Sequence, residues 1–136
     1  MQASLFRKSA VLIEQNPQQS KLYEDVLSAN GFDVYVAKST MDGLQKIKEK
    51  KQDLTIINTE IAEESFIKRL ISRIRAEDTT AEMPIVGLSI YAEDCKKNIA
   101  EILDAFLTKP LSIDKFMESV FGCIEKKVNG CENSCN

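Results

Sequence analysis

Val-Leu-Ile-Glu-Gln-Asn-Pro, at residues 11–17, joins a fully apolar run to a proline that suits the first position of a helix. The apolar run shows no polar alternation, which is typical of a strand covered on both faces in a parallel sheet. Asn16 is a residue type that caps helices, here one that begins at Pro17. The stretch therefore predicts a buried strand that passes directly into a helix, with polar side chains at the junction.

The same alternation of strand and helix continues along the chain. Further strands are predicted at residues 32–36, 54–57, 84–88 and 105–108. Thr40 and Ser112 are predicted to cap the second and the last helix, and the fourth helix is predicted to carry Cys95, Ile99, Ile102 and Leu103. Because crossovers between parallel strands are right-handed, this (βα)₅ pattern predicts an α/β fold with a doubly wound, five-stranded parallel sheet.

Length and composition predict one globular domain. The chain has 136 residues, 43% of them hydrophobic, and no apolar run long enough to span a membrane. The first residues do not form a secretory signal, so we expect a cytoplasmic protein without a membrane partner. We expect the domain to cover residues 1–127, and residues 128–136, which have turn composition, to form a flexible tail.

Charge and residue types exclude several functions. The chain has no histidine, which removes Ser-His and Cys-His catalysis and the commonest metal ligand. The net charge is −3, so we interpret the basic runs at residues 46–51 and 68–75 as solvated helix faces and expect no nucleic-acid partner. Cys123, Cys131 and Cys135 are more typical of free thiols than of a metal site.

Polar residues follow the predicted strands at their carboxyl ends. Ligands of doubly wound sheets bind outside these ends, so we expect the polar side chains there to converge. No glycine-rich loop follows the first strand, which argues against a dinucleotide or P-loop site. A lysine at the end of a core strand needs an acceptor, so we expect Lys109 to approach Glu14, with Asn58 beside them. The candidate site residues are Glu14, Gln15, Asn16, Asn58, Ser89 and Lys109.

These motifs resemble the receiver domain of two-component response regulators over about residues 8–127, and residues 11–33 most resemble single-domain receivers of the DivK type. The resemblance rests on residues 11–17, on Asp-Leu-Thr-Ile-Ile-Asn at 53–58, on Pro-Ile-Val-Gly-Leu-Ser at 84–89 and on Phe-Leu-Thr-Lys-Pro at 106–110. It implies a flavodoxin-like sheet with strand order 2-1-3-4-5.

The resemblance also implies a degenerate pocket. A working receiver holds Mg²⁺ with three carboxylates, one of which attacks a phosphoryl group. Glu14 matches the first acid, whereas Gln15 stands at the second acidic position and Asn58 at that of the nucleophilic aspartate. Ser89 and Lys109 match the phosphate-contacting residues, and Phe106 matches the aromatic switch. The region from Ser89 to Lys109 is about two residues shorter than the family pattern.

These replacements have direct chemical consequences. With one carboxylate and Lys109, the charge of the pocket rises from about −2 to about 0. Mg²⁺ prefers anionic oxygens, so we expect weak or absent Mg²⁺ binding and no cofactor. An amide is a poor nucleophile, so we expect no acyl phosphate at Asn58. The leading hypothesis is a bacterial pseudo-receiver, which is a phosphorylation-independent interaction module and not an enzyme.

The expected partners are a histidine kinase, a phosphotransfer protein, another signalling protein, or a second copy of the chain in a homodimer. Two surfaces suit them. One is the face of the fourth and fifth helices, around Tyr91, Lys96, Lys97, Asp114, Lys115 and Glu118, and the other is the first helix, around Lys21, Glu24, Asp25 and Ser28. Two alternatives remain open: a receiver phosphorylated on another carboxylate such as Glu60, and a flavodoxin-like ligand or redox protein.

Overall fold

A computed structural model of the chain describes residues 7–90 and 97–128. The strands are β1 (Lys8–Ile13), β2 (Phe32–Ala37), β3 (Leu54–Asn58), β4 (Ile85–Ser89) and β5 (Ala105–Thr108). The helices are α1 (Pro17–Ala29), α2 (Thr40–Glu49), α3 (Glu64–Ala76), α4 (Lys97–Ala100) and α5 (Ile113–Val128). Within the described residues, strands and helices alternate as the sequence predicts.

All paired strands run parallel, in the order β2-β1-β3-β4-β5. This confirms the predicted five-stranded sheet and its order. In the register, Ile13 lies opposite Ile57, and Ser89 lies opposite Thr108. The residues that follow these positions, including Glu14 and Lys109, therefore lie together at the carboxyl ends of the strands. We call this side of the sheet the carboxyl edge and the opposite side the amino edge.

Two apolar layers cover the sheet. One layer packs α1 and α5 on alternate strand residues such as Leu12 and Ile56, and the other packs α2, α3 and α4 on their neighbours, such as Val11 and Ile57. Gly43 lets α2 approach β1 closely, because a Cβ at this position would lie 2.5 Å from Ile13 Cδ1. Burial on both faces explains why the central strands lack polar alternation.

Side-chain caps set where the helices begin. Asn16 Oδ1 accepts hydrogen bonds from the backbone N–H groups of Gln18 and Gln19 at 2.9 and 3.0 Å, as predicted. Ser112 Oγ accepts from Lys115 N at 3.1 Å, so this prediction is confirmed as well. The predicted cap at Thr40 is wrong. Ser39 caps α2 by accepting from Asp42 N, and Thr40 is the first helical residue.

The fourth helix is shorter than predicted on its C-terminal side. It ends at Ala100, and the N–H groups of Ile102 and Leu103 donate to carbonyls three residues earlier, which turns the chain out of the helix. The turn brings the Leu103 side chain against Gly87, where a Cβ would lie 2.6 Å from Leu103 Cδ1. Packing on the sheet therefore overrides the helical period here, and Cys95 lies outside the described residues.

One member of a predicted solvated basic face is instead half-buried. Arg75 donates to the carbonyl oxygens of Ala81 and Met83 at 3.0 and 2.6 Å and to Asp104 Oδ2 at 2.8 Å. Asp104 Oδ2 also accepts from Ile85 N at 2.7 Å, at the start of β4. Arg75 is therefore a structural residue that joins α3 to the amino edge of the sheet.

The predicted domain boundary lies in the last turn of α5, since this helix runs to Val128. Residues 129–136, including Cys131 and Cys135, lie outside the described residues, so the predicted tail stays a prediction. Cys123 is buried and forms no disulfide bond with another described residue. Within residues 7–90 and 97–128, no helix combines the length and the apolar composition needed to cross a membrane.

Candidate functional site

An open cleft of about 760 Å³ lies at the carboxyl edge of the sheet. It is bordered by the end of β1, the start of α1, the end of β3 and the connections that follow β4 and β5. The lining residues are Glu14, Asn16, Gln19, Leu22, Tyr23, Asn58, Ile90, Lys109, Pro110 and Leu111. The cleft occupies the position where doubly wound folds bind their ligands.

Glu14 lies at the floor of this cleft and is only 1% exposed. Its Oε2 accepts hydrogen bonds from Asn16 N and Asn58 Nδ2, both at 3.0 Å. Its Oε1 is buried and has no hydrogen-bond partner among the described residues, and Lys109 Nζ lies 4.0 Å from it. The predicted convergence of Glu14, Asn58 and Lys109 is therefore confirmed.

The Asn58 amide has one orientation that satisfies both of its neighbours. Its Nδ2 donates to Glu14 Oε2, and its Oδ1 accepts from Glu60 N at 3.0 Å. A carboxylate only accepts hydrogen bonds and a backbone N–H only donates them, so the reverse orientation would lose both bonds. Asn58 thus presents an N–H group to the carboxylate in the cleft.

Lys109 closes the opposite side of the cleft. Its Nζ lies between Glu14 Oε1 at 4.0 Å and Gln19 Oε1 at 3.4 Å, and its side chain is 13% exposed. Its backbone N–H donates to Ser89 O at 2.7 Å, and the following bond to Pro110 is cis. The ammonium group therefore forms a long ion pair with Glu14 and offsets its charge.

The other predicted site residues lie farther from this centre. Gln15 is exposed, at the turn between β1 and α1. Phe106 is half-buried on β5, and its Cδ1 lies 3.2 Å from the place where a Cβ on Gly87 would be. The ring therefore packs against the sheet, and its role as a switch stays a prediction.

Ser89 is fully buried at the end of β4 and binds an internal carboxylate. Its Oγ donates to Glu60 Oε2 in a short hydrogen bond, and Ile90 N donates to the same oxygen at 3.1 Å. The sequence indicates Glu60 only as an alternative phosphate acceptor and does not predict this contact. The available signal was an acidic residue two positions after Asn58.

The buried charge of Glu14 affects the pKa of Tyr23, which lines the cleft. Its pKa is raised from 10.0, first by burial and then by the negative charge of Glu14. Its ring packs against Phe116 with centroids 4.8 Å apart. Tyr23 therefore links the cleft to the apolar layer between α1 and α5.

The described residues of the cleft do not fit Mg²⁺. This ion prefers several anionic oxygens in octahedral geometry. Among the described residues that line the cleft, Glu14 is the only carboxylate, and an amide N–H and an ammonium group already face it. Among the described residues, no three His, Cys, Asp or Glu side chains cluster as metal ligands would.

The family model for the response regulator receiver domain matches residues 10–121. The polar-differentiation response regulator DivK of Brucella anthropi is 22% identical over 115 residues, which cover 83% of this chain and 93% of that protein. The same protein from Brucella melitensis shows the same identity and coverage. Proteins of this kind are signalling proteins, and receiver domains interact with kinases and other signalling proteins.

Solved structures agree on the fold. A CheY-like receiver domain from Methylobacillus flagellatus has a TM-score of 0.74 and 20% identity, over 86% of this chain and 98% of that one. The receiver domain of a sensor histidine kinase from Pseudomonas aeruginosa, which holds a magnesium ion in its active-site cleft, has a TM-score of 0.78 and 16% identity, over 88% and 98%. With the sheet order, the cleft and the family match in agreement, this chain belongs to the response regulator receiver domain family.

Proposed function

We propose that this chain is a receiver domain without a working phosphoacceptor, and that it acts as a phosphorylation-independent interaction module in bacterial two-component signalling. The observation that carries the proposal is the 3.0 Å hydrogen bond from Asn58 Nδ2 to Glu14 Oε2. A donor stands at the end of β3, where the family resemblance implies a nucleophilic carboxylate. On this proposal the protein is not an enzyme.

The chemistry of Asn58 supports the proposal. Formation of an acyl phosphate needs a carboxylate oxygen that attacks phosphorus, and an amide nitrogen is a poor nucleophile because its lone pair is delocalised. The amide is also held in place, since it donates to Glu14 and accepts from Glu60. The pair of Glu14 and Lys109 has a net charge of about zero, which gives a divalent cation little attraction.

A receiver fold that cannot be phosphorylated still has exposed helix faces that can bind a partner. Asp114, Lys115 and Glu118 are exposed on α5, and Lys21 and Asp25 are exposed on α1, where they pair at 3.1 Å. We propose that one of these faces binds a histidine kinase, a phosphotransfer protein or a second copy of the chain, in the cytoplasm. Of the other predicted contacts, Tyr91 and Lys96 lie outside the described residues, as does the Lys97 side chain.

Phosphodonor chemistry tests the proposal. We expect the wild-type chain, incubated with Mg²⁺ and acetyl phosphate, to keep its intact mass. The double variant Gln15→Asp with Asn58→Asp restores the missing carboxylates and is expected to bind Mg²⁺ and to gain one phosphoryl group. Gln18→Asp, an exposed change on α1, adds a carboxylate outside the cleft and serves as the control. A wild-type chain that gains a phosphoryl group would contradict the proposal.

The partner surface is tested by charge reversal. Lys115→Glu with Glu118→Lys changes the α5 face, and Lys21→Glu with Asp25→Lys changes the α1 face, each without altering the net charge. Binding to candidate kinases and phosphotransfer proteins, and self-association, are measured for each variant. One face is expected to lose binding while the other keeps it. If both variants bind as the wild type does, the assignment of these surfaces is wrong.

Phosphorylation at Glu60 is the second candidate. Its carboxylate lies at the carboxyl edge, but Oε2 already accepts two hydrogen bonds, which lowers its reactivity as a nucleophile. Peptide mapping after the phosphodonor reaction distinguishes this acceptor from any other. The flavodoxin-like redox alternative has no support from the family match.

A further inference from the structure

The Glu60 side chain connects two loops at the carboxyl edge of the sheet. Its Oε2 accepts from Ser89 Oγ and from Ile90 N, the latter at 3.1 Å. Its own backbone N–H donates to Asn58 Oδ1 at 3.0 Å. Glu60 therefore joins the connection after β3 to the first residue after β4.

The two donors that hold Glu60 form a site for an anionic oxygen. An O–H group and a backbone N–H group converge on one carboxylate oxygen, and hydrogen bonds to a charged acceptor are shorter and stronger than neutral ones. Ser89 is fully buried, whereas Ile90 is 58% exposed. An oxyanion from solvent could therefore approach from the Ile90 side, but it would need the donors that Glu60 already uses.

Glu60 competes with such an anion from within the same chain. An internal ligand that is already positioned acts at a high effective concentration, so a weakly binding external anion cannot displace it. The backbone of Glu60 is also held in place, because its N–H donates to Asn58 Oδ1. The Asn58 amide is fixed in turn, because its Nδ2 donates to Glu14 Oε2. The occupied site is therefore part of a continuous hydrogen-bond network.

This network reaches four of the five strands. Glu14 follows β1, Asn58 ends β3 and Ser89 ends β4. Lys109, which follows β5, donates its backbone N–H to Ser89 O at 2.7 Å. The position of the chain just after β4 is thus tied to every strand end that borders the cleft.

We propose that Glu60 is a built-in anionic ligand of the donor pair formed by Ser89 Oγ and Ile90 N, which excludes inorganic phosphate and holds these two residues in one conformation. The inference rests on the proposed function for its consequence, which is that the position of Ile90 is set without phosphorylation. The site itself is defined by the contacts of Glu60 alone.

Amide hydrogen exchange of the full chain, followed by nuclear magnetic resonance, tests the internal ligand. In Glu60→Ala we expect the Ile90 amide to exchange faster than in the wild type by about tenfold or more, because a charge-assisted acceptor is lost. Glu60→Gln keeps the shape but not the charge, and a smaller increase is expected. Glu63→Gln, an exposed change in the same connection, is the control and should match the wild type.

A second variant and an unfolding measurement keep the exchange test decisive if Glu60→Ala folds poorly. Ser89→Ala removes the hydroxyl donor to Glu60 and should loosen the Glu60 carboxylate, so the Ile90 amide should again exchange faster than in the control. Urea unfolding of each variant separates a local opening at Ile90 from a loss of global stability. Unchanged Ile90 exchange in Glu60→Ala, Glu60→Gln and Ser89→Ala would overturn the proposal.

Titration with inorganic phosphate tests the vacated site. We expect the Ile90 amide signal of the wild type to stay unchanged, and that of Glu60→Ala to shift in a saturable way. Sodium chloride at matched ionic strength is the control for screening. A saturable shift in the wild type would show that the donors are open, and no shift in Glu60→Ala would show that they do not bind anions. Either result contradicts the proposal.

These measurements are independent of those that test the proposed function. A wild-type chain that gains a phosphoryl group on a residue other than Glu60 contradicts the proposed function and leaves the exchange results valid. Unchanged exchange in all variants contradicts the internal ligand and leaves the missing phosphoacceptor valid. Phosphorylation mapped to Glu60 itself would contradict both.

Discussion

Two largely buried carboxylates at opposite edges of the sheet are paired in different ways. At the amino edge, Asp104 Oδ2 accepts from Ile85 N at 2.7 Å and forms an ion pair with Arg75 at 2.8 Å. At the carboxyl edge, Glu14 Oε1 is buried without a hydrogen-bond partner in the described part of the chain, where its nearest cation, Lys109 Nζ, lies at 4.0 Å. Both carboxylates carry the same formal charge.

The difference shows which edge is built for stability. Removing one partner from a largely buried, hydrogen-bonded ion pair such as that of Asp104 and Arg75 is strongly destabilising, whereas a buried oxygen without a partner already costs free energy. Imperfect pairing of this kind is expected at functional sites, where stability is not the only constraint. The carboxyl edge of this receiver therefore has the geometry of a functional cleft.

The largest effect is expected from replacing the two carboxylates by amides. Asp104→Asn removes the anion that faces Arg75, so we expect the free energy of unfolding to fall by about 2–3 kcal/mol. Glu14→Gln keeps an acceptor for Asn16 and Asn58 and loses only a distant cation, so we expect a loss below about 1 kcal/mol. Urea unfolding followed by circular dichroism measures both. Equal losses would mean that the two edges do not differ as described.

The next effect concerns the donor that faces Glu14. Asn58→Asp replaces an N–H by a second carboxylate, and we expect a loss of about 2 kcal/mol without Mg²⁺ because like charges repel. Added Mg²⁺ should recover part of this stability, and it should leave the wild type unchanged. Asn98→Asp, an exposed change of the same kind, is the control. If Mg²⁺ stabilises the wild type and the variant equally, our description of the cleft is wrong.

A smaller effect is expected at Lys109. Lys109→Met leaves the buried Glu14 oxygen without its nearest cation, so we expect a loss of about 1 kcal/mol in the free energy of unfolding. Lys21→Met removes an exposed lysine paired with Asp25 and should cost almost nothing. Thermal or urea unfolding of the two variants makes the comparison. A larger loss at Lys21 would show that the cleft lysine does not offset the Glu14 charge.

The smallest effect is a dependence of stability on alkaline pH. Burial, and to a lesser extent the charge of Glu14, raise the pKa of Tyr23 above 10.0, so the folded chain keeps the phenol proton where the unfolded chain begins to lose it. Stability should therefore be unaffected by this group below about pH 10 and should fall as the pH rises above that value.

The variant Tyr23→Phe is expected to fall less steeply with pH than the wild type, as measured by urea unfolding at several alkaline pH values. Glu14→Gln should retain most of the fall, because burial is the larger cause of the raised pKa. If Glu14→Gln abolishes the dependence while Tyr23→Phe retains it, the effect belongs to another group.

The sequence by itself determined the strands, the sheet and the edge that carries the cleft. Apolar runs such as residues 54–57 carry strong local signals, and burial on both faces leaves few other ways to pack them. Pro17 and Asn16 also predicted the start of the first helix correctly, because capping depends on neighbouring residues alone. The convergence of Glu14, Asn58 and Lys109 followed from their positions at strand ends.

Only the tertiary structure decided how the side chains at the edges are paired. Arg75 and Asp104 are separated by 29 residues, and so are Glu60 and Ser89, so no local pattern links them. The orientation of the Asn58 amide depends on two partners, Glu14 and the Glu60 backbone, that meet only after the sheet has formed. Periodicity reports which face a residue occupies, whereas hydrogen-bond partners depend on loop paths between elements, and these are set by the packing of the whole chain.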